Sequence, residues 1–228
     1  NSTLEIDDNS RMIGQVVISR RTSKPAGPIW DDGEGTFFTI TEAPSPKLPT
    51  RPISDDCPVK NHLGWEAPCK YGIWEIGRAY LSIQQDGGTP EHVTLETLAN
   101  RPLSFQVPTV YYHGVHGGLY YIVYSALPGK TIFEAWPEAS EDAMKIRILD
   151  QIANACIELS AWRSESITGI EGGVLREGWL SKHEGYPGPY APEALRQSCE
   201  EMGLDCSNLV FQHNHLTPLA FTVDESGG

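Results

Sequence analysis

The chain has 228 residues, of which 39% are hydrophobic, with six Trp, nine Tyr and a formal net charge of −13. That content suffices for a buried core and is too aromatic for a disordered chain; the acidic balance excludes a reader of duplex nucleic acid, which needs clustered Lys and Arg. No run of about 18 apolar residues occurs, so no membrane span is expected. Five cysteines at irregular spacings, with no C-x-x-C pair, predict reduced thiols in a cytoplasmic protein and no zinc or redox site.

Over residues 1–70 two strands are predicted, at Val16–Ile18 and Phe37–Ile40. Between them lie Pro25, Gly27, Pro28 and the turn Asp31-Asp32-Gly33-Glu34-Gly35. Gly33-x-Gly35 has no third Gly and no Lys, and it follows two acids, so it is not read as a phosphate loop. Prolines are dense from Ala43 to Pro68, and residues 1–70 as a whole read as an irregular extension with a few strands.

From residue 71 the pattern is more regular. Ile73–Ile76 and Ala79–Ile83 flank Gly77-Arg78 as a tight hairpin. Pro90 and Glu91 open a helix whose buried face would be Val93, Leu95 and Leu98. Phe105–Tyr112 and Leu119–Tyr124 follow as two strands joined at Gly117-Gly118.

The remainder is mainly helical by pattern. Ser140 is a predicted N-cap, Glu141 and Asp142 complement the helix dipole, and the helix runs to about Trp162. Met144, Ile148, Ile152, Cys156 and Leu159 form one apolar stripe, widened by Ile146, Leu149, Ala153 and Ile157, so this helix is expected to be mostly buried. Gly169–Gly173 breaks the pattern, Pro187, Pro189 and Pro192 mark a loop, and a short helix to Met202 turns Leu195 and Cys199 inward. Leu209 to Asp224 then reads as strand, polar turn opening on His213, and strand.

This last stretch resembles the catalytic loop of the aminoglycoside-phosphotransferase-like kinases, His-Gly-Asp-Leu-x-Pro-x-Asn, through His213, Leu216 and Pro218. Glu91–Leu98 with Val107–Tyr111, and the hinge-like Tyr121–Thr131, resemble the fungal branch of that family. The resemblance implies an α+β, protein-kinase-like two-lobe fold, with an antiparallel-sheet N-lobe over residues 71–128 and a shortened, mainly helical C-lobe over residues 129–228. It places His215 where the family has its catalytic Asp, Ala220 where it has a metal-binding Asn, and Ser82 where it has the phosphate-gripping Lys. Glu91 fits the Glu that orients that Lys, and the strand that would carry a second metal-binding Asp does not follow Asp224.

Alanine cannot bind a metal, and imidazole is a poor ligand for magnesium. The expectation is therefore a kinase-like scaffold without phosphoryl transfer, metal or cofactor, repurposed in secondary metabolism for cyclisation, cycloaddition or isomerisation of a hydrophobic small molecule. His215 and His213 are its candidate catalytic residues, and Ser82, Glu91, Tyr124, Ala220 and Asp224 its candidate substrate-binding residues. Two alternatives stay open: a non-catalytic pseudokinase holding a small ligand or protein partner, and an atypical phosphotransferase. A zinc site on His213-x-His215 lacks a third ligand, and His113 and His116 read as solvated turn residues. The shortened C-lobe would leave an apolar face on the long helix that a homodimer could cover.

Overall fold

The computed structural model describes residues 3–52, 59–61, 72–85, 87–139, 142–176, 180, 190–213 and 216–223. Among them the fold is α+β, with antiparallel sheets and four α-helices. The chain divides into two compact units, Asn1–Ala99 with Pro108–Ala126, and Asn100–Val107 with Leu127–Gly228.

The first unit contains two five-stranded sheets. One is built from β1 (Leu4–Asp7), β2 (Ser10–Ile13), β3 (Val16–Arg21), β4 (Ile29–Asp31) and β5 (Phe37–Glu42), in the order β1-β2-β3-β5-β4. Where the sequence pattern predicts an irregular arm with two strands, residues 4–42 thus form a complete sheet. The unforeseen β2 enters the core through Ile13 and carries a buried ion pair: Arg11, 5% exposed, meets Glu5, 2% exposed, at 2.7 Å, and Arg51 meets the same carboxylate at 2.9 Å. Two charges that suggest a surface segment are instead buried because they neutralise each other.

The second sheet comprises β6 (Val59–Asn61), β7 (Gly72–Ile76), β8 (Ala79–Gln85), β9 (Val110–His116) and β10 (Leu119–Ser125), in the order β6-β7-β8-β10-β9. The hairpins at Gly77-Arg78 and Gly117-Gly118 form as the sequence predicts, with Gly77, Gly117 and Gly118 at φ near +60° to +75°. The strand expected to start at Phe105 starts at Val110 instead. Pro108 has no N–H to donate to a ladder and disfavours regular pairing just before it.

Side chains alternate across both sheets, and their facing sides share one core. Ile13, Val16, Ile18, Trp30, Phe38 and Ile40 come from the first sheet; Trp74, Ile76, Leu81, Ile83, Tyr121 and Val123 come from the second. Two hydrogen bonds tie the layers: Trp30 Nε1 donates to the Ile76 carbonyl at 2.6 Å, and the Gln15 N–H donates to the Tyr121 hydroxyl at 2.9 Å. Helix α1 (Glu91–Ala99) connects β8 to β9. Of its three expected inward residues Leu98 is buried, while Val93 and Leu95 are partly covered.

The second unit holds α2 (Ile132–Glu138), α3 (Asp142–Ser160) and α4 (Pro192–Glu201). Helix α2, at the start of the stretch the sequence reads as mostly helical, is set by a capping box: Thr131 Oγ1 accepts from the Glu134 N–H, and the Glu134 carboxylate accepts from the Thr131 N–H at 2.9 Å. Ser140 and Glu141, the predicted cap and first-turn acid of α3, lie outside the described residues. Helix α3 ends at Ser160, where the N–H groups of Ala161 and Trp162 bond three residues back. It is less buried than its composition suggests: Ile148, Ala155 and Leu159 are covered, whereas Ile146, Leu149 and Ile157 are exposed.

Two small clusters organise this unit, one on Ile132, Ala135, Ile148 and Val223, the other on Leu180, Leu195, Cys199 and Cys206. The inward side of α4 is the one the sequence predicts, Leu195 and Cys199. The strand–turn–strand pattern at the end resolves into β13 (Leu209–Val210) and β14 (Thr222–Val223), which pair with different partners. β13 joins β12 (Arg163–Ser164), and β14 joins β11 (Lys130–Thr131).

Candidate functional site

Strand β8 presents Tyr80, Ser82 and Gln84 on the side of the second sheet away from the shared core, and β10 presents Tyr120, Ile122 and Tyr124 beside them. Ser82 is 3% exposed and stands opposite Ile122; a hydroxyl there needs a hydrogen-bond partner. Gln84, two residues further along the same face, supplies it. Its Nε2 donates to Ser82 Oγ at 3.1 Å and to Glu91 Oε2 at 3.0 Å. Glu91 is the first residue of α1, placed there by Pro90 ahead of it. Burial pushes its carboxyl above the ordinary value, and the hydrogen bond from Gln84 only partly offsets this.

Tyr124 and Tyr80 face each other across the strands with ring centres 6.0 Å apart. Burial raises the Tyr124 phenol, and the charge of Glu91 raises it further, so the phenol and the carboxyl are close enough to sense each other. Ser82, Glu91 and Tyr124, three of the sequence-derived candidates, therefore share one region of one unit.

A second cluster adjoins them. The Tyr120 hydroxyl accepts from the His92 N–H at 3.1 Å and lies 3.0 Å from His92 Nδ1. A hydroxyl oxygen accepts up to two hydrogen bonds, so the donor in this second contact is set by the imidazole tautomer. Burial pushes the Tyr120 phenol up to about 12. The His92 ring stacks on His113 with centroids 3.6 Å apart and planes 4° from parallel. Burial holds His92 below its usual value, the neighbouring His113 adds to this, and Glu96 opposes it.

Gln84, Gly88, Thr89, Pro90, Glu91 and Tyr120 line a small recess of about 20 Å³. A volume of that size holds about one water molecule, so this recess seats a single polar atom of a ligand and not a whole polycycle.

The other candidates lie in the second unit or outside the described residues. His213 is exposed, its ring 5.6 Å from that of Phe221, and Ala220 closes a turn by donating its N–H to the Thr217 carbonyl at 2.9 Å. His215 and Asp224 lie outside the described residues. His116, expected to be solvated, is half-buried: Tyr112 Oη lies 2.6 Å from its Nε2, and its ring meets Tyr121 edge-on at 5.5 Å. It sits on the face that turns toward the shared core, which a turn-based reading could not register. His113, by contrast, is exposed yet stacked on His92.

The residues missed from the sequence are Gln84 and His92; Tyr120 is among the aromatics the sequence offers as pocket walls. Gln84 could have been found by extending the period-2 pattern from Ser82; the contact between His92 and Tyr120 spans 28 positions and leaves no local signal. Among the described residues no group of three or more His, Cys, Asp or Glu could hold a metal ion, and no helix is long and apolar enough to cross a membrane. No family model, curated protein or solved structure matches this chain.

Proposed function

We propose that this chain is a kinase-related scaffold that transfers no phosphate and instead acts on an uncharged, hydrophobic small molecule, in an isomerising or ring-forming step. One observation carries the reading: where a phosphotransferase needs a lysine ammonium oriented by a glutamate, a hydrogen-bonded chain without a cation runs from Ser82 through Gln84 to Glu91. The strand order β6-β7-β8-β10-β9, with α1 between β8 and β9, supports the kinship with a kinase N-lobe. A carboxyl raised by burial beside a recess is suited to donating a proton, and the recess has room for a single oxygen, as of a carbonyl or hydroxyl at the polar end of such a ligand. In this reading Glu91 polarises that carbonyl, Gln84 keeps the carboxyl in place, and Tyr80, Tyr120 and Tyr124 supply aromatic walls.

The test is incubation of the full chain with apolar polyenes or terpenoid aldehydes, read by mass spectrometry against the spontaneous background. Conversion is expected, and Glu91→Gln should reduce it by ~10²-fold or more. Magnesium-dependent hydrolysis of ATP by the wild type would overturn the reading in favour of an atypical phosphotransferase. A ligand that raises the melting temperature but is recovered unchanged would favour the non-catalytic binding protein.

A further inference from the structure

We infer that α3 pairs in parallel with α3 of a second copy of this chain. Helix α3 spans 19 residues, about 28 Å. Its buried residues Ile148, Ala155 and Leu159 occupy one side. On an adjoining side Ile146 is 58% exposed, Leu149 53% and Ile157 66%, with Ala153 exposed between them. Monomeric surfaces scatter such residues singly, whereas here they line up.

Their spacing selects another helix as the occupant. Ile146, Leu149, Ala153 and Cys156 alternate by three and four residues, which is the spacing of a two-helix seam. The flanking positions select a second copy in parallel. In that arrangement Lys145 of one copy faces Asp150 of the other, twice by symmetry, whereas Ile152 packs on its own chain's cluster of Ile132, Ala135, Ile148 and Val223. An antiparallel pair would instead set Asp150 beside Ile157, leaving that charge against an apolar side chain. The Lys145 ammonium also lies 5.8 Å from the centre of the Trp136 ring, on the flank of the seam. The buried sides of the two helices diverge from the seam, so a two-fold axis along it places the bodies on opposite flanks. A single helix pair is a small interface, so the dimer is expected to be concentration-dependent.

The inference is independent of the proposed chemistry, and its test does not read activity. Sedimentation velocity of the full chain up to about 100 μM should show a monomer–dimer equilibrium. Leu149→Glu should shift it to monomer by at least tenfold in Kd, and Ile157→Lys should do the same from the exposed end of the seam, with unchanged helical circular dichroism certifying the fold. Lys145→Asp should weaken the dimer, and adding Asp150→Lys should restore it. Mild oxidation should yield a Cys156–Cys156 peptide in the mass spectrum, since that seam position faces its own copy only in the parallel arrangement. A monomer at all concentrations, a dimer indifferent to both seam variants, or a dimer without the Cys156 cross-link would each overturn the inference.

Discussion

At Glu91 and His92, consecutive residues opening α1, burial acts on two titrating groups with opposite consequences. The Glu91 carboxyl is raised, so its contribution to stability is full below its ordinary 4.5 and is lost as pH rises through the folded value. Glu91→Gln keeps a partner for Gln84 and removes the charge; the melting temperature of this variant relative to wild type is expected to be higher at pH 8 than at pH 4.5. His92 is lowered, so its contribution is full above 6.5 and is lost as pH falls below that value toward the folded one. The groups facing it are Tyr120 on β10, His113 on β9 and Glu96 on its own helix. His92→Asn should flatten the loss of melting temperature between pH 7 and pH 5.5, and a slope equal to wild type would show that the imidazole stack does not report on pH. The identity of these residues is plain in the sequence, but the direction of each shift depends on what covers them.

Strands and turns were the most legible level. The β7–β8 hairpin follows from alternating apolar residues around Gly77, whose positive φ suits glycine. A Cβ at Gly77 would also lie 2.8 Å from the Asp31 carbonyl oxygen and 2.7 Å from the Phe38 ring, so Gly77→Ala is expected to cost about 2 kcal/mol or more in urea unfolding. A cost of a few tenths would mean that this turn relaxes freely. Strands β1, β2 and β4 were not legible. Glu5 and Arg11 look like surface residues until they are seen to neutralise each other, and the three residues of β4 are too few to show a period. Helix α3 was legible as a helix but not in its burial, because a 3.6-residue period reports that an apolar stripe exists and not that anything packs on it.

For the whole molecule, the first unit depends on the joint between its two sheets. Trp30 is 3% exposed, stacks on Phe38 and Tyr111, and donates to the Ile76 carbonyl across the layers. Trp30→Ala leaves both a cavity and an orphaned carbonyl, and about 3–5 kcal/mol of lost stability is expected by circular-dichroism-monitored urea unfolding. A loss below about 1 kcal/mol would show that the layers are held mainly elsewhere. By itself the sequence determined the turns at Gly77 and Gly117-Gly118 and the helices opening at Glu91 and Pro192, while the α+β class and the choice of Ser82 and Glu91 came from the resemblance to a kinase lobe. The turns and helices follow from backbone preference and from periods of 2 and 3.6, which act between neighbours in the chain. Only the tertiary structure decided that Gln84 joins Ser82 to Glu91, that His92 stacks on His113, that Glu5 and Arg11 are buried, and that Ile146, Leu149 and Ile157 are not. Desolvation and hydrogen bonding act through space, so their outcome is set by residues that the fold brings together from distant parts of the chain.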